Sequence, residues 1–288
     1  MLGNAVYQYL SLQKLEVIAS FRSGSSVIHK NKIEFDVLSS NLDSFFSHLG
    51  SLDFVINCIG VIPQKNKFQD STRSRQMIEI NSLFPHKIAA ASDKFDFRVI
   101  QIATDCVFSG LSGNYFEDSA HDASDVYGIT KSLGEVNHAN VMHIRSSIIG
   151  RWDQSNVSLN NWLVNQPRNA RVKGYSNHLW NGVTTQAFAK VISGIITKGN
   201  FHNGISHLIP ADVLSKEDLL CLISKYAGRN DIEIQPFKTE TPVDRSLGTR
   251  NLSLNHELWS AAGYHQAPRI SELVKEIYPL GAEGIQNE

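Results

Sequence analysis

The stretch Arg98-Val99-Ile100-Gln101-Ile102-Ala103-Thr104-Asp105 (residues 98–105) decides the fold. Arg98 to Ala103 reads as a β-strand, and Thr104 stands where its apolar run gives way to polar residues. Glu16 to Phe21, Ile33 to Phe35, Phe54 to Cys58 and Met142 to Ser146 read as strands too. Helix-like stretches lie between them: Leu42 to Leu49, Arg75 to Lys94 with a break expected near Pro85, and Tyr127 to Asn137. Strand and helix in steady succession mean βαβ units, so the expected fold class is α/β with a doubly wound parallel sheet. Phe54 to Cys58 is apolar on both faces, as a strand buried inside such a sheet should be.

After about Gly150 the rhythm loosens. All four tryptophans (Trp152, Trp162, Trp180 and Trp259) fall there. Helices are expected over Thr185 to Thr197, Lys216 to Ala227 and Ile270 to Tyr278. Residues 1–150 therefore read as one lobe and 151–288 as a smaller mixed lobe, interleaved at the boundary. Neither an internal repeat nor a low-complexity tract interrupts them.

The 288 residues are 42% apolar and 19% charged, in keeping with an ordinary globular protein large enough to bury a core. With 27 basic and 28 acidic residues the formal net charge is −1, which gives no general pull toward nucleic acid or an anionic membrane. No apolar run approaches the ~18 residues of a membrane span. The N-terminus lacks the positive region of a signal peptide. Cys58, Cys106 and Cys221 are odd in number and far apart, which fits a reducing cytoplasm better than a disulfide framework or a zinc knuckle. The eleven histidines form no HExxH or other ligand cluster, so no metal is expected.

Twenty-three positions after Thr104 comes Tyr127-Gly128-Ile129-Thr130-Lys131. Residues four apart on a helix share a face, so phenol and ammonium can lie side by side. A nearby cation favours the phenolate and is expected to lower the tyrosine pKa from near 10. Such a tyrosine can give a proton to a developing alkoxide. The spacing alone is a weak signal, and a helix-surface pair would look the same. Context strengthens it, because ligands of open α/β sheets bind at the carboxyl ends of strands, where Thr104 and Asp105 stand. Hydroxyl, phenol and ammonium together suit a carbonyl undergoing reduction.

These residues resemble those of the extended short-chain dehydrogenase/reductases. Within them the chain is most similar to the dTDP-4-dehydrorhamnose reductase family of sugar-nucleotide-binding proteins. The matching stretches are Met1-Leu2-Gly3, Val55 to Gly60, Asn81-Ser82-Leu83-Phe84-Pro85, Ala103 to Gly110 and Tyr127 to Glu135, then Arg145 to Gly150, Asn177 to Gly182 and Asp244-Arg245-Ser246-Leu247. The resemblance implies a Rossmann-like dinucleotide-binding lobe and NADPH-dependent reduction of a nucleotide-activated 4-keto-6-deoxysugar, for surface polysaccharide synthesis. Thr104, Tyr127 and Lys131 would be catalytic, with Tyr127 and Lys131 also touching the cofactor. Thr104, Asp105, Trp180 and Arg245 would meet the substrate, Trp180 as an aromatic face and Arg245 as a cation for a diphosphate. Dehydratases of the same superfamily place an Asp-Glu pair after the threonine. Here Cys106 follows Asp105, so elimination is disfavoured. An epimerase using the same trio, and a non-catalytic nucleotide-binding regulatory protein, stay open as alternatives. A homodimer is one arrangement open to it.

The second strand ends Ala19-Ser20-Phe21-Arg22-Ser23, without the carboxylate that would bond the ribose hydroxyls of NAD. Arg22, Ser20 and Ser23 suit a 2′-phosphate instead, which favours NADPH with NADH as the alternative. By resemblance Asp36 would contact adenine, and Leu2, Gly3, Ile59 and Gly60 would line the cofactor, a glycine allowing close backbone approach. A dinucleotide fold opens with a strand and a Gly-x-x-Gly-x-x-Gly turn, and Gly3 matches only the last of these glycines. In the sheet order 3-2-1-4-5-6 the absent first strand is central. The expectations are therefore a gap between the second and fourth strands, poor dinucleotide binding by a chain starting at Met1, and a longer natural protein upstream.

Overall fold

The structure is a computed structural model describing residues 1–22, 31–62, 71–151 and 158–278. Its first helix, α1 (Leu2–Leu12), leads into a parallel pair, β1 (Ala19–Phe21) and β2 (Lys32–Glu34). Then come α2 (Leu42–Leu49), β3 (Phe54–Asn57), α3 (Ser71–Met77), a π-helical turn over Ile78–Leu83, α4 (Phe84–Phe95) and β4 (Arg98–Ala103). A 3₁₀ turn over Asp105–Val107 leads toward α5 (Val126–Leu133), β5 (Val141–Arg145) and β6 (Ile148–Ile149). The remainder comprises α6 (Leu159–Val164), β7 (Arg171–Tyr175), β8 (His178–Trp180), β9 (Val183–Thr184), α7 (Thr185–Lys198), β10 (Gly204–His207), β11 (Leu214–Ser215) and α8 (Lys216–Tyr226). It closes with β12 (Glu233–Phe237), β13 (Val243–Asp244), α9 (Leu252–Ala261) and α10 (Ile270–Ile277).

The main sheet is parallel, in the order β10-β5-β4-β3. This is the expected α/β architecture. Its central strands hold that place through their composition: Val99, Ile100, Met142 and Ile144 are at most 1–2% exposed. Residues after Gly150 return to this sheet. β10 extends it beside β5, and the apolar face of α7, with Phe188, Ile192 and Ile195 fully buried, packs over it with α1 and Trp259. A second cluster of buried residues gathers around Leu163, Trp180, Leu219, Ile223 and Val274.

One strand and two helical expectations are corrected. β3 is not an inner strand: it pairs with β4 alone, while β1 and β2 form a separate sheet. Between β1 and β3 lies the expected gap, a cavity of about 620 Å³ lined by Ala19, Phe21, Val55, Ile56, Val6 and Leu10 among others. Phe54, Val55 and Ile56 are consequently only half-buried. Nor does the helical run break at Pro85. The wide π turn ends just before it, and Pro85 takes a first-turn position of α4, where its missing N–H costs nothing. α5 ends at Leu133, short of Asn137, because Gly134 must slip past the Asn81 carbonyl, where a Cβ would come within 2.0 Å.

Candidate functional site

The expected trio gathers at the carboxyl end of β4. Thr104 follows β4 in extended conformation, and its Oγ1 accepts from Cys106 N at 3.2 Å, capping the 3₁₀ turn. That same hydroxyl donates to Asp105 Oδ1 at 3.2 Å. Tyr127 stands in the first turn of α5, which Asp125 caps by accepting from Gly128 N at 3.0 Å. The phenol comes to the Thr104 side chain, whose hydrogen bond draws its pKa down. Lys131 lies one turn further, donating from Nζ to the Ile102 carbonyl at 2.8 Å.

The expected depression of Tyr127 is not what this geometry gives. Burial pushes the phenol up, and the Cys106, Asp105 and Asp125 side chains push the same way. Burial likewise holds Lys131 below the ordinary lysine range, opposed by Glu135. The lysine's charge is directed at a carbonyl of β4 and at Glu135 rather than at the phenol. Tyr127 is thus firmly protonated at neutral pH, a proton donor rather than a phenolate.

The residues expected at the cofactor fall in two places: Leu2, Gly3, Ile59 and Gly60 lie about the segment that follows β3, while Arg22 and Asp36 come after β1 and β2 of the separate sheet. Leu2 and Gly3 begin α1, whose first turn has no side-chain cap and no acidic residue. A Cβ on Gly3 would stand 3.3 Å from that of Cys58, just past β3. Ile59 donates its N–H to Asn57 Oδ1 at 3.1 Å, and Gly60 is exposed beside Asn81. Arg22 is exposed directly after β1, with no carboxylate closing that strand; Ser23, like Trp152, lies outside the described residues. Asp36 is tied to its own turn, accepting from Leu38 N at 2.9 Å.

On the substrate side, Asp105 is 6% exposed and its carboxyl is pushed up by burial, against the pull of Lys216 and Arg245. Arg245 donates from Nε to the Phe108 carbonyl at 2.9 Å. Trp180 is not an open aromatic platform: it is 3% exposed, and its Nε1 donates to Ser147 Oγ at 2.8 Å.

Two contributors carried no role in the sequence reading. Asn81, in the π turn, accepts from Val61 N at 2.8 Å and donates to Val61 O at 2.9 Å, clamping the loop after β3 to α5 through Thr130 Oγ1 at 3.3 Å. The motif Asn81 to Pro85 flagged the place but not the job. Lys216 opens α8 and reaches the Asp105 side, and nothing in its sequence context marks it. Among the described residues no group of three His, Cys, Asp or Glu side chains could hold a metal, and no helix is long and apolar enough to cross a membrane.

A parallel sheet with Thr104, Tyr127 and Lys131 near its carboxyl edge is the arrangement that the resemblance to short-chain dehydrogenase/reductases implied. The chain belongs to the family described as the RmlD substrate binding domain, whose model matches residues 1–280. Its fold is similar to that of a dTDP-4-dehydrorhamnose reductase from Clostridium acetobutylicum, with 21% identity, a TM-score of 0.70, and coverage of 96% of this chain and 94% of that one. A dTDP-4-dehydrorhamnose reductase from Bacillus anthracis solved with NADP is 18% identical, with a TM-score of 0.68 and coverage of 86% and 89%. A UDP-glucuronic acid 4-epimerase from Bacillus cereus, solved with NAD, is 13% identical, with a TM-score of 0.69 and coverage of 96% and 92%. No curated protein sequence matches the chain.

Proposed function

We propose that the protein is a reductase of a nucleotide-activated 4-keto-6-deoxysugar that prefers NADPH, supplying a deoxysugar donor for surface polysaccharide. The observation that carries this reading is the meeting of Thr104 and Tyr127 at the end of β4, with Lys131 one helical turn away. Family membership supports it, as do the dTDP-4-dehydrorhamnose reductases among its fold neighbours.

The residues present suit a dinucleotide. The uncapped first turn of α1 offers free N–H groups of the kind that bind a pyrophosphate, with no carboxylate to repel it. Arg22 supplies a cation where a 2′-phosphate would need one. When bound, the reduced nicotinamide supplies hydride to the carbonyl carbon. Thr104 Oγ1, already a hydrogen-bond donor to Asp105, turns its proton to the carbonyl oxygen. Tyr127 gives its phenolic proton to the same oxygen as negative charge develops there, so the alcohol leaves neutral. Lys131, fixed on Ile102 O one helical turn from the phenol, would hold the ribose of the bound cofactor.

The test is NADPH oxidation, followed by absorbance, with dTDP-4-keto-6-deoxyglucose or its UDP counterpart. Tyr127→Phe is expected to lower turnover about 10²–10⁴-fold, the usual worth of a general acid, with cofactor affinity changed only a few fold. Near-normal turnover in the variant removes Tyr127 from the mechanism. Sugar inversion without NADPH consumption would make the protein an epimerase.

A further inference from the structure

The mechanism leaves one ammonium unused. Lys216 is the first residue of α8, fixed there by Ser215, whose Oγ caps the helix on Asp218 N at 3.0 Å. Its Nζ lies over the Trp180 ring, 4.9 Å from the centroid. Among the described residues no carboxylate reaches it within ion-pair distance and no acceptor within hydrogen-bond distance. Lys216 is half-buried, and an ammonium largely withdrawn from water without such a partner is costly. Burial brings its pKa down to about 8.

The groups facing it are Asp105 and Cys106 from the 3₁₀ turn, Arg245 from beyond β13, and Trp180 and His178 from β8. Asp105 is a poor counter-ion, because burial pushes its own carboxyl toward protonation. Arg245 adds a second cation, held among the described residues by Nε alone. Two cations with unused donors thus flank the residue that follows Thr104, over a rigid indole floor. An ordinary structural lysine would be paired or solvated.

Resting on the sugar-nucleotide reading above, we propose that Lys216 is the anion-gripping residue of the substrate crevice: its ammonium, with the Arg245 guanidinium, binds the diphosphate of the sugar nucleotide. Trp180 is then the floor that aims Lys216, rather than a stacking surface for base or sugar.

Calorimetric titration of UDP and dTDP, with uridine and thymidine as uncharged controls, tests this in the wild-type chain, Lys216→Met and Lys216→Arg. The Met variant should bind the diphosphates about tenfold to a hundredfold more weakly, as loss of a charge-assisted hydrogen bond implies, and the nucleosides unchanged. Lys216→Arg should keep most of the affinity. Wild-type diphosphate affinity should fall as pH rises through the range around 8 and beyond, and that fall should be absent from both variants. Equal diphosphate binding by wild type and Lys216→Met overturns the inference and leaves the reductase reading standing. So does an equal loss for diphosphates and nucleosides. If the wild type binds neither diphosphate, the sugar-nucleotide reading itself fails and takes the inference with it. Should Lys216→Met not fold, as judged by its melting temperature, the pH dependence of wild type against Lys216→Arg decides in its place: identical pH profiles overturn the inference.

Discussion

At the scale of single residues, the site separates groups by what their surroundings let them do. Tyr127 and Lys131 share a helix face, yet burial, not the lysine, sets the phenol's protonation. Four-residue spacing reveals a shared face, but it cannot reveal that Nζ is turned onto the Ile102 carbonyl. Thr104 was legible because a polar residue ended an apolar strand. Lys216 was not, because its neighbour Trp180 is thirty-six positions away in the chain and only the folded lobe brings them together. Arg22 is exposed just after β1, and the role expected of it is open to test. Arg22→Glu should remove a charge-assisted partner of a 2′-phosphate and offer ribose hydroxyls a carboxylate instead. The ratio of kcat/KM for NADPH to that for NADH should fall about tenfold or more, as loss of one charge-assisted bond implies. An unchanged ratio would mean that Arg22 is only a solvated end of strand.

At the scale of elements, the site depends on how closely α5 lies against the 3₁₀ turn after β4. Gly128 makes that approach feasible. A Cβ there would meet Ala123 Cβ and the Cys106 carbonyl, each at 2.4 Å. Gly128→Ala must therefore push the start of α5 away, carrying Tyr127 from Thr104 while leaving the sheet intact. Because a misplacement on the order of 1 Å can cost about 10²-fold in rate, turnover should fall by that order while far-UV circular dichroism stays unchanged. Full activity in the variant would show that α5 has slack against the turn. Periodicity exposed elements of this kind well where packing and pattern agree: α2 and β4 have the boundaries the pattern implies. It failed where long-range contact decides. Gly134 ends α5 because of Asn81, fifty-three residues earlier. β3 looked like an inner strand because its residues are apolar on both faces, and pattern alone cannot say whether a neighbour is present to cover them.

At the scale of the whole molecule, a buried polar hub ties the end of β5 to β10 and to the segment before α9. Arg145, fully buried at the end of β5, donates from Nε and Nη2 to the Glu135 carboxylate at 3.1 and 2.5 Å and lies over the Phe108 ring. Its Nη1 also donates to His207 Nε2, at the end of β10, at 2.7 Å. His207 in turn donates from Nδ1 to the Gly248 carbonyl at 2.6 Å, reaching the segment that leads into α9. These partners fix one tautomer, with the proton on Nδ1 and a lone pair on Nε2 facing the guanidinium. Burial penalises a charged ring, and a proton on Nε2 would also lose that bond and set two cations together. His207 is accordingly held down to about 4, from an ordinary 6.5. The sign follows directly. Between these values the unfolded chain binds a proton that the folded chain refuses, so stability is complete above about pH 6.5 and is lost as pH falls toward 4. A tenfold change in proton affinity is worth about 1.4 kcal/mol, so the loss from this one ring is on the order of 3 kcal/mol. His207→Gln keeps an amide acceptor for Arg145 but cannot titrate, so its denaturation midpoint should vary less between pH 7 and pH 5 than that of the wild type. Carboxylates paired in the fold steepen both curves below that window, which is why the comparison belongs above it. Parallel curves across the window would mean that the hub accommodates the proton, and that acid weakens the fold through other groups.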